Sequence, residues 1–90
     1  MIGILIFPDF QLLDAAGPIS VFEIAARASG KPLALRVLAA QAGLVASSSG
    51  VEMMARDFKS ANAITTLVIA GGAGVTDAAR CEATLSLIHI

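Results

Sequence analysis

The sequence predicts an α/β fold built on a parallel sheet, and three observations carry that reading. Ile2-Gly3-Ile4-Leu5-Ile6-Phe7 and Leu67-Val68-Ile69-Ala70 are apolar runs with no polar alternation, as in parallel strands covered on both faces. Each run ends in a turn signal, Pro8 after the first and Gly71-Gly72-Ala73-Gly74 after the second, and a helical pattern follows each turn. The element order is strand, helix, strand, ribbon, strand, helix, and right-handed crossovers then make the three main strands parallel, in the order 2-1-3. In that order the first and third strands are neighbours whose chains leave in opposite directions. Their carboxyl ends then form a crevice, with Asp9 and Asp14 on one side and the glycine turn on the other, which is where open α/β sheets bind ligands.

After Pro8, Gly17-Pro18 predicts the start of a helix that runs to about Ser29-Gly30, since proline suits a first turn and glycine the position just past a helix end. Ile19, Phe22, Ala25 and Ala26 supply a buried stripe that Val21, Ile24 and Ala28 widen, which predicts a largely covered helix. Glu23 and Arg27, spaced i,i+4, predict a surface ion pair. Lys31-Pro32 restarts the chain as extended, and Leu33 to Ala40 reads as the second strand, with a helix as the competing assignment. Leu44-Val45-Ala46 and Val51-Glu52-Met53-Met54 flank the turn-like Ser47-Ser48-Ser49-Gly50 and suggest a small ribbon. The serines read as a solvated turn, with a polar binding loop as the alternative. Arg56 to Asn62 reads as a short surface helix or loop, and Ala63-Ile64-Thr65-Thr66 leads into the third strand. Thr76 then caps a last helix in which Ala78, Cys81, Leu85 and Ile88 share one face.

Ninety residues make one small domain with a thin core. Hydrophobic residues are 57% of it and charged residues 14%, against roughly 45–50% and 25% in typical globular domains. That leaves too little polar surface to coat such a globule, so part of the apolar surface is expected to lie against other polypeptide. The net charge of −1 and the dispersed basic residues argue against a phosphate-tracking surface, so no nucleic acid is expected on this segment. No run approaches the roughly 18 apolar residues of a membrane span, and the N-terminus lacks the basic region of a secretory signal. The expected location is cytoplasmic, with no membrane partner. One cysteine excludes an internal disulfide, and with a single histidine, His89, it offers no metal-ligand spacing, so no metal or cofactor is expected.

The chemistry concentrates at the carboxyl ends of the first and third strands. Gly71-Gly72-Ala73-Gly74 can bring bare backbone N–H groups against an anion or a developing oxyanion, or can simply be a tight turn that lets strand and helix pack closely. It is neither a P-loop, since no Gly-Lys-Ser/Thr follows, nor a full dinucleotide fingerprint. Asp14, set among Leu12, Leu13, Ala15 and Ala16, is the candidate acid, and a helix N-cap is its structural alternative. Asp9 reads as a turn residue, Cys81 as a small core residue and His89 as tail.

The stretch from Ile4 through Phe7-Pro8-Asp9-Phe10-Gln11-Leu12-Leu13-Asp14-Ala15-Ala16-Gly17-Pro18 to Phe22 resembles the opening of the ThiJ/PfpI superfamily, whose fold is like that of class I glutamine amidotransferases. Within it the resemblance is closest to the N-terminal sensor-like domain of AraC-type transcriptional regulators, with the isonitrile hydratases next. Val21-Phe22-Glu23-Ile24-Ala25, Gly30-Lys31-Pro32-Leu33, Ser47-Ser48-Ser49-Gly50-Val51 and Leu67-Val68-Ile69-Ala70-Gly71-Gly72 follow in that group's order and at similar spacing. The resemblance implies a three-layer flavodoxin-like parallel sheet, of which this chain holds the N-terminal half. In the family's enzymes a cysteine on a sharp strand-to-helix elbow is the nucleophile, an acid adjusts it, and amides of the glycine turn face the substrate. Asp14 matches the acid of the isonitrile hydratases and Gly71, Gly72 and Ala73 match the turn, whereas the elbow would follow a strand beyond Ile90 and Cys81 precedes it on another element. The implied function is the N-terminal part of a ligand-sensing domain of an AraC-type regulator, not catalytic as it stands. Its expected partners are an unknown small-molecule effector and further copies of itself, as a homo-oligomer joined through an open sheet edge. The alternatives are a fragment of an isonitrile hydratase-like or amidotransferase-like enzyme lacking its nucleophile cysteine, and a small binding module.

Overall fold

The computed structural model describes residues 1–58 and 64–80. Seven elements occur there: β1 (Ile2–Leu5), α1 (Leu12–Ser29), β2 (Leu35–Ala39), β3 (Gly43–Ala46), β4 (Glu52–Asp57), β5 (Thr66–Ile69) and α2 (Val75–Arg80). The strands form one sheet in the order β3-β4-β2-β1-β5. β1 runs parallel to both neighbours, with Ile2 opposite Leu35 and Thr66, and Leu5 opposite Leu38 and Ile69. The expected 2-1-3 order of the main strands is therefore the observed one.

Because strand side chains alternate, β1 feeds two layers. Ile2, Ile4 and Ile6 meet Leu35, Val37, Ala39 and Val68 together with Leu12, Ala15 and Ile19 of α1. On the other face Leu5 and Leu38 pack with Phe58, Ile64 and Leu67. Gly3 points to that second face, where a Cβ would lie 3.2 Å from Leu38 Cδ1 and 3.3 Å from Ile64 Cδ1.

The ribbon is part of the sheet. β3 and β4 pair antiparallel, with Val45 opposite Met53, and the end of β4 pairs parallel with β2 through Leu38–Arg56 and Ala39–Asp57. Arg56 and Asp57, expected in a surface helix or loop, thus close a strand. The reason is alternation: Met53 and Ala55 turn toward the core while Glu52, Met54 and Arg56 face outward, a period of two that carries the polar residues along. Residues 59–63 lie outside the described residues.

Two helix starts differ from expectation. α1 begins at Leu12 and carries Pro18 inside it. The missing Pro18 amide leaves the Asp14 carbonyl without its intrahelical donor, yet the first turns are held by tertiary contacts, with Ala15 fully buried and Leu12 packed on the sheet. α1 is also less covered than expected, since Ala15 is its one buried residue and Leu13, Val21 and Ile24 are each more than 60% exposed. Its C-terminus is as read: Gly30 adopts φ 69° and its N–H donates to the Ala26 carbonyl, and Arg27 pairs with Glu23. α2 begins at Val75, so Thr76 is helical and does not cap; the Ala78 N–H donates to the Gly74 carbonyl at 3.0 Å. Cys81, Leu85, Ile88 and His89 lie outside the described residues.

Candidate functional site

The link from β1 to α1 and the link from β5 to α2 meet at the carboxyl end of the sheet. Phe10 anchors the first link. It is fully buried, it bridges both Ser47 and Gly72, and its carbonyl accepts from Ser48 N–H at 2.9 Å. Asp9, just before it, takes φ 63°, a left-handed conformation that aspartate tolerates better than most residues, and its N–H donates to the Ala46 carbonyl at 2.9 Å. Asp9 is the exposed turn residue that the sequence indicates. Ser47 is buried and shares a 2.8 Å hydrogen bond with Ser49, so the serine cluster is a self-satisfied turn on which Phe10 rests.

The glycine turn lies directly against this link. A Cβ on Gly72, whose φ is 130°, would fall 2.6 Å from Gln11 N, and one on Gly74 would fall 1.8 Å from the Pro8 carbonyl oxygen. The Gln11 N–H donates to the Gly71 carbonyl at 2.7 Å, and the Gly74 N–H donates to the Asp9 carbonyl at 3.3 Å. Close packing is therefore one job of these glycines, as the tight-turn reading required.

Asp14 does not cap its helix. Gln11 holds the N-cap position and makes no side-chain cap bond, while Asp14 sits in the first turn. Its Oδ2 instead accepts a hydrogen bond of 2.9 Å from the Gly71 N–H, across 57 positions of sequence. The structure thus joins two residues that the sequence marks separately. Phe10's anchoring role was not read from the sequence, although an aromatic residue between two turn signals was the available sign.

Beside this junction opens a cleft of about 490 Å³, lined by Phe7, Pro8 and Asp9, by the Ala39–Ala46 stretch that leads through β3, and by Gly74, Asp77 and Ala78. The expected crevice lay between the first and third strands, with Asp9 and Asp14 on one side and the glycine turn on the other. The cleft is displaced toward β2 and β3, because the Pro8–Gln11 link is hydrogen-bonded to the glycine turn and fills the space between the ends of β1 and β5. Of the expected residues Asp9 and Gly74 line it, whereas Asp14, Gly71, Gly72 and Ala73 do not. Asp77 and Gln41 are polar lining residues that the sequence pattern did not single out. No helix among the described residues is long and apolar enough to cross a membrane.

No family model and no curated protein matches the chain. Among solved structures it is similar to an AraC family transcriptional regulator from Pseudomonas putida, with a TM-score of 0.70 and 18% identity over 79% of this chain and 46% of that one. It is also similar to a DJ-1 superfamily protein from Agrobacterium tumefaciens, with a TM-score of 0.62 and 22% identity over 84% of this chain and 39% of that one. The chain spans less than half the length of either protein. At these identities the likeness is one of fold. The chain therefore has the α/β fold of the DJ-1 superfamily protein and of the AraC family regulator, the fold that its resemblance to the ThiJ/PfpI superfamily implies.

Proposed function

We infer that this chain forms the N-terminal part of a ligand-sensing domain of an AraC-type transcriptional regulator and does not catalyse a reaction as it stands. The observation that carries the reading is the likeness to the P. putida regulator over 79% of the chain. The carboxyl end of the sheet supports it with a cleft, a glycine turn and the carboxylates of Asp9, Asp14 and Asp77. In this reading the effector is a small molecule held at that end beside Asp14 and the turn of Gly71, Gly72 and Ala73, the first of whose amides is bonded to Asp14. The domain works in the cytoplasm as a homo-oligomer, and contact with DNA belongs to a separate helix-turn-helix domain.

The second reading is part of an isonitrile hydratase-like or amidotransferase-like enzyme, favoured by the likeness to the DJ-1 superfamily protein. There Asp14 adjusts a nucleophilic cysteine supplied from outside these residues. The gene's complete reading frame separates the two. A helix-turn-helix region downstream, with DNA binding by the whole product in a gel-shift assay, is the expected result. A frame that closes after an elbow cysteine and encodes no such region overturns the regulator reading.

A further inference from the structure

We propose that Asp14 is a positioning residue that occupies the Gly71 amide, fixing the glycine turn and withholding that donor from anions. The proposal rests on the reading of this end of the sheet as a ligand site.

A glycine turn after a parallel strand offers its amides to an anion by default, since bare N–H groups at such a turn favour negative charge. Here the first of these amides already has an acceptor. Asp14 Oδ2 lies 2.9 Å from Gly71 N, and a Cβ on Gly71 would fall 3.1 Å from the same oxygen, so the carboxylate rests against the turn itself. A carboxylate only accepts hydrogen bonds, and a charged acceptor holds an amide more strongly than a neutral one. One N–H bonds one acceptor well, so an incoming anion must displace Asp14 and approach against its charge.

The turn is tied to the same segment on both sides of this contact. The Gly71 carbonyl accepts from Gln11 and the Gly74 amide donates to Asp9. Asp14, three residues beyond Gln11, adds a side-chain tie, so the turn's orientation is coupled to the first turn of α1. This gives Asp14 a role separate from that of an acid, because the contact uses it as an acceptor. The neighbouring cleft carries the same sign, since its lining among the described residues holds the carboxylates of Asp9 and Asp77 and no lysine or arginine.

The test follows the Gly71 amide by ¹H–¹⁵N NMR in the ninety-residue chain, with sodium acetate as the probe. In Asp14→Ala the Gly71 amide should exchange with solvent about tenfold faster or more, the factor that loss of one hydrogen bond to a charged group gives. Added acetate should restore its shift and protection, while the wild-type amide stays indifferent to acetate. Asp14→Asn keeps an acceptor oxygen without the charge, so it should hold the amide less strongly, and acetate should displace it and shift the Gly71 signal. Unchanged Gly71 exchange in Asp14→Ala, or equal response to acetate in wild type and variant, overturns the proposal. Should Asp14→Ala lose its native spectrum, Asp14→Asn decides alone, and indifference to acetate there overturns it. Neither result depends on whether the gene encodes a regulator, so the two readings fail separately.

Discussion

Gly74 and Gly17 show how differently two glycines in one small chain are constrained. At Gly74 a Cβ would sit 1.8 Å from the Pro8 carbonyl oxygen, a backbone atom that cannot turn aside. Gly74→Ala must therefore push the glycine turn off the Pro8–Gln11 link, and should destabilise the fold by about 3 kcal/mol or more. At Gly17 the nearest atom to a Cβ is Leu13 Cδ1 at 3.8 Å, ordinary contact within a helix. Gly17→Ala should stabilise by about 0.5–1 kcal/mol, from the backbone entropy that glycine loses in a helix. Urea unfolding of both variants measures the contrast, and equal effects would contradict the packing at Gly74. Sequence shows that a glycine run follows an apolar strand; it does not show which glycine touches which backbone. The same holds for Asp14, whose acidic character is visible locally while its donor partner, the Gly71 N–H, lies 57 positions away.

Helix α1 is the element where local signals and tertiary packing disagree. Gly17-Pro18 has the composition of a helix start, yet the helix already runs from Leu12, because Ala15 and Leu12 bury against the sheet one turn earlier. Burial outweighs the missing proline amide there. Pro18→Ala restores a donor to the Asp14 carbonyl and removes the ring clash, offset in part by a freer unfolded chain. The expected result is a gain of about 1–2 kcal/mol with a rise in helical circular dichroism. A loss of stability would mean that the proline shapes the packing of α1 in a way its backbone position does not show. The end of the helix was legible because Gly30 meets a purely local demand, a left-handed residue whose amide returns to Ala26. The strands were legible for a similar reason, since the runs at β1, β2 and β5 are apolar, broken in β2 by Arg36, and crossover handedness orders them. The displaced cleft was not, because its position depends on how the Pro8–Gln11 link folds back on the glycine turn.

At the scale of the whole molecule the apolar residues left outside decide behaviour. Leu13, Val21 and Ile24 on α1, Leu44 and Met54 on the ribbon, and Ile69 on β5 are all at least 48% exposed, and the chain spans less than half the length of either solved structure of the same fold. β5 stands at the end of the sheet among the described residues, with its outer side facing no strand. Thr66, Leu67, Val68 and Ile69 include no lysine, proline or other residue that blunts an edge, so among the described residues β5 offers an open edge beside apolar side chains. Association through this edge is the expected outcome, and it should rise with protein concentration in light scattering. Ile69→Lys places a charge on the edge at a residue already 48% exposed, where the change in fold stability should stay within about 0.5 kcal/mol. Reduced scattering at an unchanged urea midpoint would locate the association at β5. Unchanged scattering would instead point to the apolar face of α1, where Val21→Lys is the corresponding variant and should lower it.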